Sequence, residues 1–299
     1  MHIKKLQQKL SSLQNISLKV NNEKNIYLIN IIKLNQKLSF FINNSLSNKN
    51  NIVLMRQKFG IKNELTSNIF LPKGFQRLAR FFQTHRELWI YLTEEQKYGT
   101  DSYTRYEKTI LASARRNVSD FIVIGKRAKQ FCEENKFNIV KSFSEEECDD
   151  HLAEHIARII KILYHQNNYK NVFFVINSNK SYDRPFQILP IEKFSLGEII
   201  HEFRGNLNTE KDFENFRIYP NISNYFETEI NIFLENALNS LIVESNFYKA
   251  KIGLVTTNRM IKEIDEELVK INKKILKSKR EKEIEEIVLI TRNNKNFSV

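Results

Sequence analysis

The residues with the clearest chemical potential lie in the segment His151-Leu-Ala-Glu-His155, which matches the H-x-x-E-H pattern. On a helix, His151 and His155 would share one face and could bind zinc. A third ligand is not evident in the sequence. Asp149, Asp150 and Glu154 are more simply interpreted as a solvated polar face, so we predict no metal site here.

Gly125 and Lys126 follow a predicted strand, where many α/β proteins bind phosphate. The pair lacks the preceding glycine and the hydroxyl residue of the G-x-x-x-x-G-K-[ST] phosphate loop, and that loop occurs nowhere in the sequence. We therefore interpret Gly125 as a strand-to-helix turn. The chain is predicted not to be an enzyme by itself and to bind no cofactor.

The two cysteines, Cys132 and Cys148, form neither a C-x-x-C motif nor a disulfide framework. We expect them to be ordinary helix residues in a reducing cytoplasmic compartment. No apolar run reaches the roughly 18–20 residues of a membrane span, and the best stretch, 26–34, is interrupted by Asn30 and Lys33. The sequence therefore predicts a cytoplasmic protein with no direct membrane span.

The positive charge of the chain is concentrated at its start. Lys and Arg number 47 against 35 Asp and Glu, and residues 1–60 contain nine lysines and Arg56 against the single acid Glu23. A basic helix could bind nucleic acid through phosphate contacts. This one lacks clustered arginines and regularly spaced aromatic residues, so we predict no nucleic acid. A basic nucleic-acid-binding coiled coil remains an alternative.

The first 60 residues predict one long helix with a narrow apolar stripe. No Gly or Pro precedes Gly60, and Ser17 and Lys24 are the polar interruptions of the stripe. Steps of three and four residues are typical of a coiled-coil seam. The stripe comprises Ile3, Leu6, Leu10, Leu13, Val20, Tyr27, Ile31, Leu34, Leu38 and Phe41.

A second long helix is predicted after Pro220, with Asn221 or Ser223 as its N-cap and only Gly253 interrupting it before Ile290. About 69 residues would make a rod of roughly 100 Å, too long for a compact domain. Its stripe needs a partner, and the first helix can supply it in antiparallel orientation. The stripe comprises Ile222, Phe226, Ile230, Phe233, Ala237, Leu241, Tyr248, Ile252, Val255, Ile264, Leu268, Ile271 and Ile275.

Between the helices the periodicity changes to short apolar strands that alternate with helices. Strands are predicted at 88–92, 120–124, 137–143, 171–177 and 186–191, and helices at 102–116, 127–135 and 144–166. This alternation predicts a Rossmann-like α/β domain with a largely parallel sheet. The predicted divisions are a coiled-coil helix at 1–60, a connector at 61–84, the α/β domain at 85–220, a second coiled-coil helix at 221–292 and a tail at 293–299.

This layout resembles the gamma subunit of F-type ATP synthases and of divergent F-like rotary ATPases. Residues 9–15, Lys-Leu-Ser-Ser-Leu-Gln-Asn, are similar to a segment of that family's first helix. Residues 236–245, 256–258 and 283–288 are similar to segments of its last helix. The matching positions are Gln14, Asn15, Glu244, Thr256, Asn258, Glu283 and Glu286.

The resemblance implies a central rotor shaft inside a hexamer of alpha-like and beta-like subunits. ATP and Mg²⁺ would be bound by those partners, and an epsilon-like or other stalk or load subunit would contact the α/β domain. The Asn, Lys and Ile bias fits the divergent F-like sets of mollicutes, in which rotation serves other work such as motility, at the inner face of the cell membrane. A coiled-coil adaptor without a rotary role remains the main alternative.

Overall fold

The structure is a computed structural model that describes residues 2–61, 63, 65–66, 86–95, 102–144, 151–167, 169–178, 184–195 and 217–296. The predicted connector at 61–84 lies largely outside this part of the chain, and so do most of residues 192–220. Cys148, Asp149 and Asp150 also lie outside it, as do the last three residues of the predicted tail.

Two long helices come from the two ends of the chain. Helix α1 spans His2–Phe59 and helix α5 spans Ile222–Asn296. The backbone N–H of Asn224 donates to Asn221 Oδ1 at 2.8 Å, which makes Asn221 the N-cap of α5. Both predicted helices are confirmed, and α5 continues to Asn296, beyond the predicted end of the second helix.

The middle of the chain is an α/β domain with a mixed sheet. Its elements are β1 (Arg86–Leu92), α2 (Tyr103–Ser113), β2 (Ser119–Ile124), α3 (Lys126–Glu134), β3 (Asn138–Phe143), α4 (Leu152–Asn167), β4 (Tyr169–Val175), β5 (Phe186–Leu189) and a 3₁₀ turn (Ile191–Lys193). The strands lie in the order β3-β2-β1-β4-β5, with β5 antiparallel to β4 and the other pairs parallel. The predicted α/β domain is therefore confirmed.

The central strands are largely apolar because both of their faces are covered. All six residues of β2 are buried, and so are Leu88 to Leu92 of β1. On one face, α2 and α3 cover an aromatic core in which the Phe121 ring stacks on Trp89 and makes a tilted contact with Phe137. Continuous apolar runs of this kind are typical of parallel sheets covered on both sides.

The chain divides into two compact units. One unit contains residues 1–31 together with 250–299, and the other contains residues 32–249. The first unit therefore holds the start of α1 and the second half of α5, while the second unit holds the α/β domain with the adjoining parts of both helices. Among the described residues, none of the helices is long and apolar enough to cross a bilayer.

Candidate functional site in the helix pair

The burial of α1 follows the predicted stripe. From residue 3 to residue 31, the positions that are not exposed recur at alternating steps of three and four, with only Asn21 and Glu23 in addition. Ser17 and Lys24 keep their places in the series although they are polar. The series is Ile3, Leu6, Leu10, Leu13, Ser17, Val20, Lys24, Tyr27 and Ile31.

Residues 264–275 of α5 show the matching pattern. Ile264 and Leu268 are half-buried, and Ile271 and Ile275 are buried at 4% and 7% exposure. The prediction that Val255 belongs to the stripe was wrong, because its side chain is 69% exposed. The buried positions around it are Gly253 and Thr257.

Two contacts fix the direction of α1 relative to α5 in the first unit. Lys9 Nζ lies 3.6 Å from Glu267 Oε2. Further along α1, the ring of Tyr27 lies so close to Gly253 that a Cβ atom there would be 2.5 Å from Tyr27 Cζ. The numbering rises along α1 as it falls along α5, so these two segments run in opposite directions.

In the second unit, polar side chains that are buried or half-buried join the same two helices. Asn48 Nδ2 donates to Glu229 Oε2 at 2.8 Å, and Asn236 Nδ2 donates to Asn48 Oδ1 at 3.1 Å. Asn51 Nδ2 also donates to Glu229 Oε2, at 3.4 Å. Asparagine at a helix–helix seam favours one register, because any shift would leave its amide buried without these partners. The predicted seam residue Leu38 is fully buried nearby, and Leu34 is half-buried.

The end of α1 is held to the 3₁₀ turn. The Arg56 guanidinium pairs with the Glu192 carboxylate, and Lys49 Nζ donates to the carbonyl oxygens of Glu192 and Phe194. Burial lowers the pKa of Lys49, and the nearby Glu192 opposes that shift. These contacts give the last turns of α1 a fixed position in the α/β domain.

The carboxyl ends of β1 and β4 meet the first half of α5. Lys249 Nζ lies 2.9 Å from Glu94 Oε2, just after β1. Ser178 Oγ donates to Glu244 Oε1 at 2.7 Å, just after β4, and both of these residues are at most 1% exposed. The family resemblance singled out Glu244, and the structure places it in this buried contact.

The N-terminus of α3 is occupied by the chain's own side chain. Thr93 Oγ1 accepts a hydrogen bond from the N–H of Ala128 at 3.0 Å and donates to Ile124 O at 3.0 Å. Gly125 has a φ of 91°, and a Cβ atom there would lie 2.2 Å from Thr93 O. Gly125 is therefore needed for the close approach of β1, as expected of a strand-to-helix turn, while Lys126 is exposed beside Glu95 at 3.7 Å.

The two histidines of the H-x-x-E-H segment are both exposed at the start of α4. His151 Nδ1 lies 3.5 Å from Glu154 Oε2, and Arg158 also pairs with Glu154. In the described part of the chain, no group of three or more His, Cys, Asp or Glu side chains is placed to hold a metal ion.

The remaining motif positions lie mostly on the surface of the helices. Gln14, Asn15, Asn258, Glu283 and Glu286 are exposed and Thr256 is half-buried, so these side chains are available to a partner. Every side chain from 279 to 291 is exposed. Cys132 is buried in the aromatic core, and burial raises the pKa of its thiol to about 12.

Sequence analysis missed the contacts that link distant parts of the chain. Glu94 and Lys249 carry no local signal of pairing, and Tyr27 was predicted on the stripe of α1 without Gly253 as its partner. A glycine inside an otherwise uninterrupted helix was the available signal for the second pair, since such a glycine often marks a close approach.

No known protein-family model matches the chain. The chain is similar to a chain of the rotor of the Euglena gracilis mitochondrial ATP synthase, with a TM-score of 0.45, 11% identity and coverage of 94% of this chain and 98% of that one. It is also similar to a chain of the OSCP/F1/c-ring structure of the same enzyme, with a TM-score of 0.49, 11% identity and coverage of 100% and 96%. A chain of the Tetrahymena thermophila mitochondrial ATP synthase central stalk and c-ring gives a TM-score of 0.39 at 10% identity, over 76% of this chain and 98% of that one.

The sequence is also similar to a protein of Ureaplasma parvum serovar 3. The two chains are 44% identical over 298 residues, which cover 99% of this chain and 96% of the other. Identity at this level over nearly the full length of both proteins establishes common descent. The chain belongs to the same family as the Ureaplasma parvum uncharacterized protein UU050.

Proposed function

We propose that this protein is the central rotor shaft of an F-type or F-like rotary ATPase. The observation that carries the proposal is the antiparallel course of the chain's two ends, given by the Lys9–Glu267 and Tyr27–Gly253 contacts. Together with an α/β domain between the two helices, this is the layout that the gamma-like motifs imply.

In this proposal, residues 1–31 and 250–278 form an antiparallel coiled coil. The alternating steps of burial along 3–31 of α1 and 264–278 of α5 support it, because a two-helix seam covers positions at that spacing. The seam residues are Leu6, Leu10, Leu13 and Ile31 of α1 and Ile264, Leu268, Ile271 and Ile275 of α5, and Leu34 and Leu38 continue the α1 series.

The partners are a ring of alternating alpha-like and beta-like subunits around the coiled coil. ATP and Mg²⁺ bind to those subunits. Sequential hydrolysis of the ATP pushes on the eccentric coiled coil and turns it. This chain supplies stiffness and surface and takes no part in the chemistry. The contact of Thr93 with the N-terminus of α3 supports that division, because it fills the position at which a strand-to-helix turn could receive phosphate.

An epsilon-like or other stalk or load subunit binds the α/β domain. The assembly lies in the cytoplasm at the inner face of the cell membrane, and its rotation drives work such as motility. The relationship to the Ureaplasma protein agrees with the mollicute origin that this part of the proposal assumes.

Mass spectrometry of the complex purified natively through a tag on this chain tests the proposal. We expect alpha-like and beta-like ATPase subunits in equal amounts, three of each per copy of this chain. A complex that contains cytoskeletal or other structural proteins without ATPase subunits would favour the adaptor, and nuclease-sensitive nucleic acid would favour the nucleic-acid-binding alternative.

A further inference from the structure

The carboxyl edge of a doubly wound sheet is the usual place for a ligand, at the point where the strand order reverses. Here β1 lies between β2 and β4. The chain first adds β2 and β3 on one side of β1 and later adds β4 and β5 on the other side. The carboxyl ends of β1 and β4 therefore border this reversal point.

Side chains of α5 occupy that position. Glu244 receives the hydrogen bond of Ser178 at the end of β4, and Lys249 pairs with Glu94 at the end of β1. Lys249 comes five positions after Glu244, so one short stretch of helix contacts both strand ends. The Glu244 side chain is 1% exposed, and a carboxylate so well buried depends on the polar partners that the sheet offers it.

Two tyrosine hydroxyls of α2 hold the same strand ends in place. The N–H of Glu94 donates to the Tyr103 hydroxyl at 3.0 Å, and that hydroxyl lies 3.3 Å from Glu94 O. The N–H of Ser178 donates to the Tyr106 hydroxyl at 2.9 Å, and this hydroxyl donates to Ser178 O. Each strand end is thus fixed from α2 on one side while it contacts α5 on the other.

We propose that these contacts form a clamp that locks the α/β domain to residues 222–249 of α5, so that the two turn as one body under load. The inference rests on the proposed rotor role, since only a shaft must transmit force between its helix and its domain. It assigns Glu94, Ser178, Glu244 and Lys249 as positioning residues of the shaft.

Hydrogen exchange of the full-length chain tests the clamp by charge reversal and rescue. We expect Glu94→Lys and Lys249→Glu, each alone, to speed exchange at least threefold in the amides of 240–249. The double variant should return these rates to those of the parent. Ser178→Ala should speed the same amides at least tenfold, because it leaves the buried Glu244 carboxylate without its hydroxyl donor.

The exposed Lys277–Glu281 pair on the same helix is the matched control. Lys277→Glu and Glu281→Lys, each alone, should leave the exchange rates of the amides of 240–249 unchanged. If the single reversals at 94 and 249 behave like this control, the clamp is wrong. Failure of the double variant to restore the parent rates would also overturn it.

Torque transmission by the clamp is measured in the purified complex with a rotation probe attached to the α/β domain. The single reversals should at least halve the torque at an unchanged rate of ATP hydrolysis, and the double reversal should restore it. An intact ATPase complex with unchanged torque would refute the clamp alone. Absence of ATPase subunits would refute the proposed function, and torque transmission by the clamp with it.

Discussion

The ring of Tyr27 fills the space that a side chain at position 253 would need. Any Cβ atom at Gly253 would lie 2.5 to 2.8 Å from the Cζ, Cε1 and Cε2 atoms of that ring. Thr257, one turn later, is fully buried, and its hydroxyl donates to Gly253 O at 3.0 Å. The glycine therefore sets how closely the two helices approach at this level.

Gly253→Ala should destabilise the protein although alanine favours a helix by about 1 kcal/mol over glycine. Overpacking against Tyr27 should cost about 1–3 kcal/mol and outweigh that gain. Urea unfolding measures the net loss. Combination with Tyr27→Leu should remove the energetic cost of overpacking. Asn258→Ala, at an exposed position of α5, is the control and should be neutral or slightly stabilising. A Gly253→Ala variant more stable than the parent would contradict the packing.

Cys132 should contribute to alkaline unfolding. Burial, followed by the charges of Glu107 and Glu133, raises the pKa of its thiol from 9.0 to about 12. The thiol of the unfolded chain loses its proton at a lower pH than the thiol of the folded chain. The stabilisation by the protonated thiol is therefore complete below pH 9 and is lost as the pH rises toward 12. One proton corresponds to about 1.4 kcal/mol per pH unit.

The measurement is the free energy of unfolding from pH 8 to pH 11, in a Cys148→Ser background. The free energy of unfolding of Cys132→Ala should fall less steeply above pH 9 than that of its parent. Burial also raises the pKa of Tyr91, and this contribution is common to both proteins. Equal slopes would show that the thiol titrates as freely in the folded state as in the unfolded state.

The sequence predicted the local elements well and the distant contacts poorly. Leu88 to Leu92 formed a strand as expected, because five consecutive apolar residues between polar ones need a buried site. On α1, the positions from 3 to 31 that are not exposed include the predicted stripe, even at the polar residues Ser17 and Lys24. The prediction for Val255 was wrong because the buried positions at this level are Gly253 and Thr257, which carry no apolar signal. Glu94 and Lys249 are too far apart in the sequence for any local pattern to predict their contact.

His151 should be dispensable for metal content. Its side chain is exposed beside Glu154, and a surface pair of histidines without a third ligand binds zinc weakly. Elemental analysis of the purified protein should show the same low zinc content in the parent and in His151→Ala. Stoichiometric zinc that disappears in this variant would restore the metal-site interpretation.

The isolated chain should not hydrolyse ATP. The N–H of Ala128 at the start of α3 already donates to Thr93, and Lys126 lies exposed beside Glu95. A phosphate-release assay on the purified chain should give no turnover above the buffer rate. Hydrolysis that is lost in Lys126→Ala would assign the reaction to this chain.

The seam of the first unit can be tested by paired substitution on α5. Leu268 is half-buried and Ile271 is buried, while Lys270 and Lys273 on the same stretch are exposed. Truncation of one well-buried seam residue to Ala costs about 2–5 kcal/mol. Replacement of Leu268 and Ile271 with Asp should cost more, because two carboxylates would lose solvation without partners.

We expect this Asp pair to separate the helices and to weaken assembly, or to uncouple ATP hydrolysis in the purified complex. The α/β domain should still fold, since its core lies in the other unit, and circular dichroism with hydrogen exchange of β1 and β2 would show it. Lys270→Asp with Lys273→Asp is the matched control and should be mild. If both pairs leave assembly and ATPase activity unchanged, residues 250–278 do not form the seam of a shaft, and the adaptor becomes the better interpretation.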